Sequence, residues 1–373
     1  MNVDKTLLTQ LIEASMAADY TAVRRLGNQI AKRLAEEKDL DGAKAIQNLL
    51  RKRGAPLQAS GYMEAIPRDA ASRLPLVEEA AWPATPLFLD SSGQAALSHF
   101  LEDATNIQLL SDSGVSSRLG LLLYGPPGTG KSLLAGHIAA KLQRPFYIAR
   151  LDSLISSRLG ETSKNIRGVF EFIPTRQAVL FLDEMDAVAK LRDDRHELGE
   201  LKRVVNTVLQ GLDSLTDDVI VIGATNHPHL LDPAIWRRFP YKLELTQPDE
   251  AVRQALWLHF LFQDKIEGER DAQVLAKVSA GASGAEIETI ALAARRRAVI
   301  SGQMPSLAHI VMAAGDPARG SARLPDNREL STLERKGVAR TLDAAGIPAA
   351  EIGRVLGISR QMVYRYRSGT TDG

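Results

Sequence analysis

Five short, largely apolar runs alternate along the middle of the chain with segments in which apolar residues recur every three or four positions. The alternating segments predict helices, and the apolar runs predict buried parallel strands, because strands of such a sheet are covered on both faces. The pattern therefore predicts an α/β fold whose sheet has about five parallel strands. The predicted strands are residues 119–124, 145–150, 178–182, 219–224 and 241–245.

Outside the sheet, the chain has segments with helical periodicity and no further predicted strands. The sheet belongs to a domain at residues 87–247, and residues 248–315 and 329–373 predict two helical domains after it. Segments 56–86, punctuated by prolines, and 316–328, polar and glycine-containing, predict linkers. The remaining residues, 1–55, predict a helical hairpin or bundle. That bundle either docks a partner protein or extends the core by packing.

Composition narrows the class of protein without identifying it. The chain has 373 residues, with 46 Lys and Arg against 45 Asp and Glu, so its net charge of +1 neither indicates nor excludes a nucleic-acid partner. The absence of cysteine excludes disulfides and thiolate metal sites. Because the sequence has neither a secretory signal nor an apolar run long enough to cross a bilayer, we expect a cytoplasmic protein with no membrane partner.

A glycine-rich loop follows the first predicted strand and precedes a predicted helix, which is the context of a phosphate-binding loop. Its backbone N–H groups and the helix N-terminus would bind phosphate, Lys131 would reach the β- and γ-phosphates, and the Ser132 hydroxyl would bind Mg²⁺. The alternative is a tight Gly/Pro turn with an incidental lysine and serine, which the flanking strand and helix disfavour. The residues expected to contact the nucleotide are Gly125, Pro126, Pro127, Gly128, Thr129, Gly130, Lys131, Ser132 and Leu133.

Acidic and amide side chains follow two further predicted strands. Asp183 and Glu184 come directly after the third strand, and Asn226 follows the fourth. A carboxylate such as Asp183 would hold Mg²⁺, and Glu184 would polarise the water that attacks the γ-phosphate. Asn226 would orient the same water, although an Asn here would also cap a turn. Strand ends of a parallel sheet meet at one edge, so we expect these side chains near the phosphate-binding loop.

Five motifs, in this order and spacing, resemble those of the AAA branch of the AAA+ ATPases. The resemblance covers residues 85–315 and implies an enzyme that hydrolyses ATP with Mg²⁺ in a ring, usually a hexamer. It also implies that residues 248–315 form a helical lid. The motifs are residues 123–132, 182–186, 223–226, 231–239 and 281–287.

The same resemblance assigns roles to several residues. Asn226 corresponds to the sensor 1 position, and Arg237 and Arg238 correspond to arginine fingers that reach the γ-phosphate bound by the neighbouring subunit. Gly284 and Ala285, in the turn that opens the last lid helix, correspond to the sensor 2 region. Because a finger in trans completes each site, the resemblance implies that hydrolysis requires assembly.

The segment that resembles the family's central-pore loop departs from the usual pattern. Arg158 stands where members that thread polypeptide usually have an aromatic residue, and Leu159 keeps the pattern. A charged Arg158 would favour an acidic substrate or a nucleic-acid backbone. Alternatively, Leu159 grips the substrate and Arg158 only lines the pore.

The C-terminal helices resemble the helix-turn-helix of resolvase- and transposase-type DNA-binding domains. In that interpretation Ser359 caps the recognition helix, and Arg360 and Gln361 read base edges from its N-terminal end. Tyr364 and Arg365 would contact phosphates. The alternative is a three-helix bundle that docks a protein.

Together these features predict an ATP-driven ring with one of two functions. One is a homo-hexamer that remodels or moves a DNA-associated substrate. The other is a protein unfoldase that acts with a partner such as a protease, with residues 1–55 as its adaptor. A nucleotide switch that does not hydrolyse ATP is disfavoured, because Asp183, Glu184, Asn226 and both arginines are present.

Overall fold

The computed structural model describes residues 66–69, 72–115, 118–154, 161–176, 178–187, 198–215, 219–303, 306–315 and 328–368, with a few isolated positions before residue 66. The predicted helical segment 1–55 therefore lies outside the described residues, apart from those isolated positions. So do the loop that contains Arg158 and Leu159 and all but the last residue of the predicted linker 316–328.

A six-stranded sheet forms the centre of the ATP-motif region, with strand order β1-β3-β4-β5-β2-β6. All five predicted strands are present, and all pairings among these five are parallel. β2, β4 and β5 are almost wholly buried, as their continuous apolar sequences predict. The strands are β1 (Glu78–Ala80), β2 (Gly120–Tyr124), β3 (Phe146–Arg150), β4 (Val179–Asp183), β5 (Ile220–Thr225) and β6 (Tyr241–Glu244).

The sixth strand, β1, corrects the prediction that residues 56–86 are only a linker. β1 pairs antiparallel with β3 at the edge of the sheet, and the preceding Leu76 and Val77 are buried in its core. The Trp82 indole N–H also donates to the carbonyl of Arg144 at 3.0 Å. A three-residue strand between prolines is too short to show periodicity, so its existence depends on pairing with β3, which the local sequence does not reveal.

Helices cover both faces of the sheet. α1 (Ser91–Thr105) and α3 (Lys131–Lys141) pack on one face, and α5 (Glu161–Phe172) and α6 (Leu198–Ser214) pack on the other. The short helices are α2 (Ile107–Asp112), α4 (Leu151–Leu154) and α7 (Pro233–Arg238). Periodicity predicts one helix across α1 and α2, but Asn106 ends α1 because its side chain and its backbone N–H both donate to the carbonyl of Glu102.

Among the described residues after β6, four helices lie in the segment predicted to be the lid, and three more lie closer to the C-terminus. The lid contains α8 (Glu250–Phe262), α9 (Glu269–Val278), α10 (Gly284–Ser301) and α11 (Leu307–Ala314). The C-terminal unit contains α12 (Thr332–Ala344), α13 (Ala349–Leu356) and α14 (Arg360–Ser368). Within the described residues, no helix is both long enough and apolar enough to cross a bilayer.

The lid and the C-terminal unit share one hydrophobic core. Trp257 of α8 and Leu342 of α12 are both fully buried in the same cluster, together with Val363 of α14. An ion-pair network joins their surfaces, since Glu351 of α13 pairs with Arg270 of α9 at 2.6 Å and with Arg354 at 2.6 Å. The C-terminal unit is therefore fixed to the lid by buried apolar surface, which is the main stabilising term in such contacts.

Replacing a large buried side chain of this shared core by a small one should destabilise both the lid and the C-terminal unit. We expect Leu342→Ala to cost about 2–5 kcal/mol of unfolding free energy, because it leaves a cavity in a closely packed core. Hydrogen exchange read by mass spectrometry should show lost protection in α8 as well as in α12. The matched control is Leu333→Ala in the same helix, where the side chain is 80% exposed, and it should change protection little. Lost protection confined to the C-terminal helices would contradict a shared core.

Candidate active site

The phosphate-binding loop connects β2 to α3 in a conformation that glycine permits. Gly125 has φ +140°, and a Cβ there would lie 2.1 Å from the carbonyl oxygen of Leu245. Gly128 and Gly130 also have positive φ, at +77° and +92°, and α3 begins directly afterwards at Lys131. These backbone turns are sterically disfavoured for residues with a Cβ, so the glycines set the shape of the loop.

Lys131 lies inside this loop with its ammonium bound to backbone carbonyls. Its Nζ donates to the carbonyl oxygens of Gly125 and Pro126, each at 2.8 Å, and the residue is 7% exposed. Burial lowers the pKa of Lys131, and the nearby negative charges of Asp183 and Asp186 oppose that shift. Among the described residues that line the surrounding cavity, Lys131 is the sole lysine or arginine.

The end of β4 places acidic side chains opposite the loop. The Ser132 hydroxyl lies 3.5 Å from Oδ2 of Asp183, and the backbone N–H of Glu184 donates to Oδ1 of Asp183 at 2.9 Å. A hydroxyl and a carboxylate are oxygen ligands of the kind that Mg²⁺ prefers. Glu184 has φ +54°, a left-handed conformation that is uncommon for a residue with a side chain and that recurs at functional sites.

Asp186 is a site residue that the sequence analysis missed. It is 1% exposed, and its Oδ1 accepts hydrogen bonds from the Thr225 hydroxyl at 3.0 Å and from the backbone N–H of Asn226 at 3.3 Å. These bonds connect the end of β4 to the end of β5 and hold the backbone of Asn226. One sequence feature could have identified it: an acidic residue stands between Met185 and Ala187, and a charged group among apolar neighbours needs buried partners.

These residues surround a cavity of about 460 Å³, within the usual range for a small-molecule site. Two stretches that the sequence analysis did not assign to the site contribute to its wall, residues 85–90 and residues 244–249. Lid side chains Val252, Leu256 and Phe260 add an apolar surface. The expected site residues that line this cavity are Pro127, Gly128, Thr129, Gly130, Lys131, Ser132, Leu133, Asp183, Glu184, Asn226, Gly284 and Ala285.

The lid closes the cavity at the start of α10. The backbone N–H of Ala285 donates to the carbonyl of Gly128 at 3.3 Å. Ser283 caps α10 through a reciprocal pair of bonds with Glu286, which fixes the backbone of this turn. A Cβ on Gly128 would lie 2.9 Å from the Ser283 hydroxyl and 3.3 Å from Cβ of Ala285. The lid therefore contacts the phosphate-binding loop closely enough to depend on that glycine.

Arg237 and Arg238 lie outside the cavity of their own chain. The carbonyl oxygen of Arg238 lies 3.2 Å from the position of a Cβ on Gly120, which begins β2, whereas the phosphate-binding loop follows the other end of that strand. At about 3.3 Å per residue, the strand puts roughly 13 Å between its two ends, which is longer than an arginine side chain.

The predicted DNA-contacting residues lie on the surface of the C-terminal unit. The Ser359 hydroxyl accepts from the backbone N–H of Met362 at 3.3 Å at the start of α14. Arg360, Gln361 and Arg365 are exposed, and Tyr364 is 50% exposed. None of these residues is among the described residues that line the cavity.

The fold and the cavity define a P-loop nucleoside triphosphatase. The comparisons with known proteins sharpen that class. Residues 121–247 match the model of the ATPase family associated with various cellular activities, AAA. The chain is also 35% identical over 233 residues to y4kL of Sinorhizobium fredii, described as an uncharacterized AAA family ATPase, and that alignment covers 60% of this chain and 70% of the relative. This chain belongs to the AAA family of ATPases, and it hydrolyses ATP with Mg²⁺.

Two further relatives match about half of this chain. The chain is 35% identical over 201 residues to cell division control protein 48 homolog C of Arabidopsis thaliana, covering 50% of this chain and 24% of the relative. It is 34% identical over 199 residues to the proteasome-activating nucleotidase of Methanopyrus kandleri, covering 52% of this chain and 46% of the relative. This chain thus spans less than half of either relative, and the similarity does not extend to their full lengths.

A Cβ at Gly128 should separate the lid from the phosphate-binding loop. We expect Gly128→Ala to weaken ATP affinity about tenfold or more, measured by titration with a fluorescent ATP analogue. The matched control is Gly114→Ala, since Gly114 has a similar φ of +71° but a Cβ there would meet no described heavy atom within 4 Å. Both substitutions carry a similar backbone cost of about 1–2 kcal/mol. Equal ATP affinities in the two variants would contradict a role for the lid contact.

Proposed function

We propose that this ATPase works as a homo-oligomeric ring, with six subunits, and that it uses ATP to move or remodel a DNA-associated substrate. The observation that carries the ring is the composition of the ATP cavity. It combines the phosphate-binding loop with Asp183, Glu184 and Asn226, yet its described lining contains no arginine. The arginines that the resemblance assigns to catalysis lie at the far end of β2.

The polar residues at the phosphate end of the cavity have proposed roles in hydrolysis. Loop N–H groups and Lys131 bind the phosphates, and Glu184 accepts a proton from the attacking water. Ser132 and Asp183 would hold Mg²⁺, which would supply positive charge beside the phosphates. Asn226 orients the water, and its backbone is fixed by Asp186 at 3.3 Å.

A neighbouring subunit would supply the missing positive charge. Phosphoryl transfer develops charge on the γ-phosphate oxygens, and an arginine placed there in trans accelerates it by about 10³–10⁵. Arg237 is exposed at the end of α7, on an edge of the subunit away from its own ATP cavity. In a ring of identical subunits that edge would face the next cavity.

The surface of α14 supports the proposal that the substrate is associated with DNA. No acidic residue occurs between Ser359 and Arg367, and Arg360, Gln361 and Arg365 are exposed. Gly357 ends α13 in the left-handed conformation, at φ +65°, and turns the chain into α14. A basic exposed helix that follows such a turn fits the major groove of duplex DNA.

The shared core of the lid and the C-terminal unit would transmit ATP-dependent motion to DNA. The start of α10 contacts the phosphate-binding loop, and the lid core continues into α12, α13 and α14. A lid that moves when ATP is bound or released would therefore carry α14 with it, because a closely packed core moves as a body.

Protein remodelling is a second candidate, and the similarity to the proteasome-activating nucleotidase and to the cell division control protein 48 homolog favours it. In that case Arg158 and Leu159 would grip polypeptide, residues 1–55 would dock a partner, and the C-terminal unit would dock a protein. The two candidates differ in what stimulates ATP hydrolysis. Stimulation by duplex DNA supports the first, and stimulation by an unfolded protein supports the second.

Mixing two inactive variants should restore ATP hydrolysis if the site is shared. Lys131→Ala removes the phosphate-binding lysine but keeps both arginines, whereas Arg237→Ala/Arg238→Ala keeps the cavity but lacks the arginines. We expect each variant alone to be inactive and a mixture to recover a measurable fraction of wild-type turnover. Recovery should occur because an intact α7 would face an intact cavity at some interfaces.

The control for this experiment is a mixture of the Lys131→Ala and Glu184→Gln variants, in which the cavity of every subunit is defective. That mixture should stay inactive. Wild-type turnover by pure Arg237→Ala/Arg238→Ala protein, or no recovery in the first mixture despite ring assembly, would reject the shared site.

Duplex DNA should bind the full-length protein through α14. We expect Arg360→Ala/Gln361→Ala to weaken binding by about tenfold or more, because each base-edge contact contributes about 1–3 kcal/mol. Fluorescence anisotropy at several salt concentrations would measure it. The matched control is Arg296→Ala, which removes an exposed arginine from α10 of the lid. Affinity that is independent of salt, or that falls equally in both variants, would contradict binding by α14.

A further inference from the structure

We propose that the two adjacent arginines have different roles. Arg237 contacts the γ-phosphate of the neighbouring subunit, and Arg238 is a positioning residue that, with Asp213 and Arg118, anchors the end of α7. This inference rests on the proposed ring. It distinguishes two residues that the sequence pattern alone treats as equivalent.

The anchor is an ion-pair cluster at the start of β2. Nε and one terminal nitrogen of Arg238 donate to the two carboxylate oxygens of Asp213, at 3.1 Å and 3.0 Å. Arg118, just before β2, donates to the same carboxylate at 2.8 Å and to the backbone carbonyl of Asp213 at 3.0 Å. Paired donation from a guanidinium to a carboxylate fixes orientation as well as distance.

The charge of Asp213 and the location of its two arginine partners support a structural role for Arg238. Hydrogen bonds from Arg238 and Arg118 hold the pKa of the Asp213 carboxyl below its usual range, so the carboxylate stays ionised. The three residues lie in separate elements: Arg118 just before β2, Asp213 at the end of α6 and Arg238 at the end of α7. The cluster therefore joins α7 to the rigid sheet and to a long helix.

Arg237 differs from Arg238 in its pairing. It is exposed, and its guanidinium forms no hydrogen bond or ion pair with any described residue. Consecutive residues of a helix point about 100° apart, so the anchoring of Arg238 directs Arg237 to a different side of α7. A free guanidinium on a fixed backbone is the arrangement that an in-trans contact to phosphate requires.

The helix itself explains why an anchor is needed. α7 has six residues, too few to be stable without tertiary contacts. Its start is fixed by Asp232, whose carboxylate accepts from the backbone N–H of Ala234 at 2.8 Å. Its middle is fixed by Trp236, whose ring packs on Tyr124 at 5.3 Å between centroids. The Arg238–Asp213 pair fixes its C-terminal end, directly beside Arg237.

The effect of the arginines of one subunit can be measured as ATP turnover in the cavity of another. The donor subunit carries Lys131→Ala, so it contributes α7 but no working cavity. The recipient carries Arg237→Ala/Arg238→Ala, so its cavity depends on the donor. ATP turnover and the ATP KM of mixed rings are then measured with donors that carry a further substitution, namely Arg237→Ala, Arg238→Ala, Arg238→Lys, Asp213→Ala, Arg238→Ala/Asp213→Ala or Asp112→Ala.

We expect the Arg237→Ala donor to lower kcat by about 10³-fold or more. The Arg238→Ala and Asp213→Ala donors should each lower it about tenfold, and the donor with both should lower it by the same tenfold rather than by a hundredfold, because the two residues act through one pair. Arg238→Lys should recover part of the rate by keeping an ion pair. The KM should not change, since the recipient cavity is intact.

The Asp112→Ala donor is the matched control, since it removes an exposed carboxylate from the end of another helix, α2. It should support the full rate, and every donor should match it in thermal unfolding and in ring assembly. An Arg238→Ala donor as inactive as the Arg237→Ala donor, additive losses, or a rate raised by Asp213→Ala would overturn the division of roles. No turnover even with an otherwise unsubstituted donor would instead overturn the ring itself.

Discussion

The contact between the phosphate-binding loop and the start of α10 is the constraint on which the ATP site depends. Gly128 and Ser283 approach so closely that no Cβ fits between them without displacement. The bond from Ala285 to the Gly128 carbonyl spans the same gap. The cavity has the sheet on one side and the lid on the other, so its closure depends on this small area. Lid helices that are far in sequence from the phosphate-binding loop are thereby brought within reach of bound nucleotide.

A second constraint aligns the catalytic side of the cavity. Parallel pairing of β4 with β5, and of β5 with β2, brings three strand ends to one edge of the sheet. Pairing alone sets the spacing of backbones but not the direction of the side chains that follow them. Asp186 fixes the loop after β5, because its buried carboxylate accepts from the Thr225 hydroxyl and from the backbone N–H of Asn226. A buried charge that lost these donors would be costly, so the network specifies one arrangement of the two loops.

The sequence predicts the parts of this molecule that local patterns encode. All five parallel strands are present, because their continuous apolar runs reflect burial on both faces. β1 is not predicted, because Glu78–Ala80 forms a strand only by pairing with β3, which is far away in the sequence. In the site, the loop from Gly125 to Ser132 is a contiguous motif. The cavity wall at residues 85–90 and the Asp186 network depend on tertiary contacts that no spacing reveals.

The arginines show why a motif does not settle the role of each of its members. The sequence places Arg237 and Arg238 side by side, and either one satisfies the charge that phosphoryl transfer needs. Pairing separates them, since Asp213 holds the guanidinium of Arg238, whereas Arg237 is exposed. Catalysis favours a charge that is already oriented, because no reorganisation is then needed during the reaction. An exposed arginine is oriented only if its backbone is fixed, and the neighbouring ion pair meets that need. One arginine would therefore be held within its own subunit so that the other can act on the next.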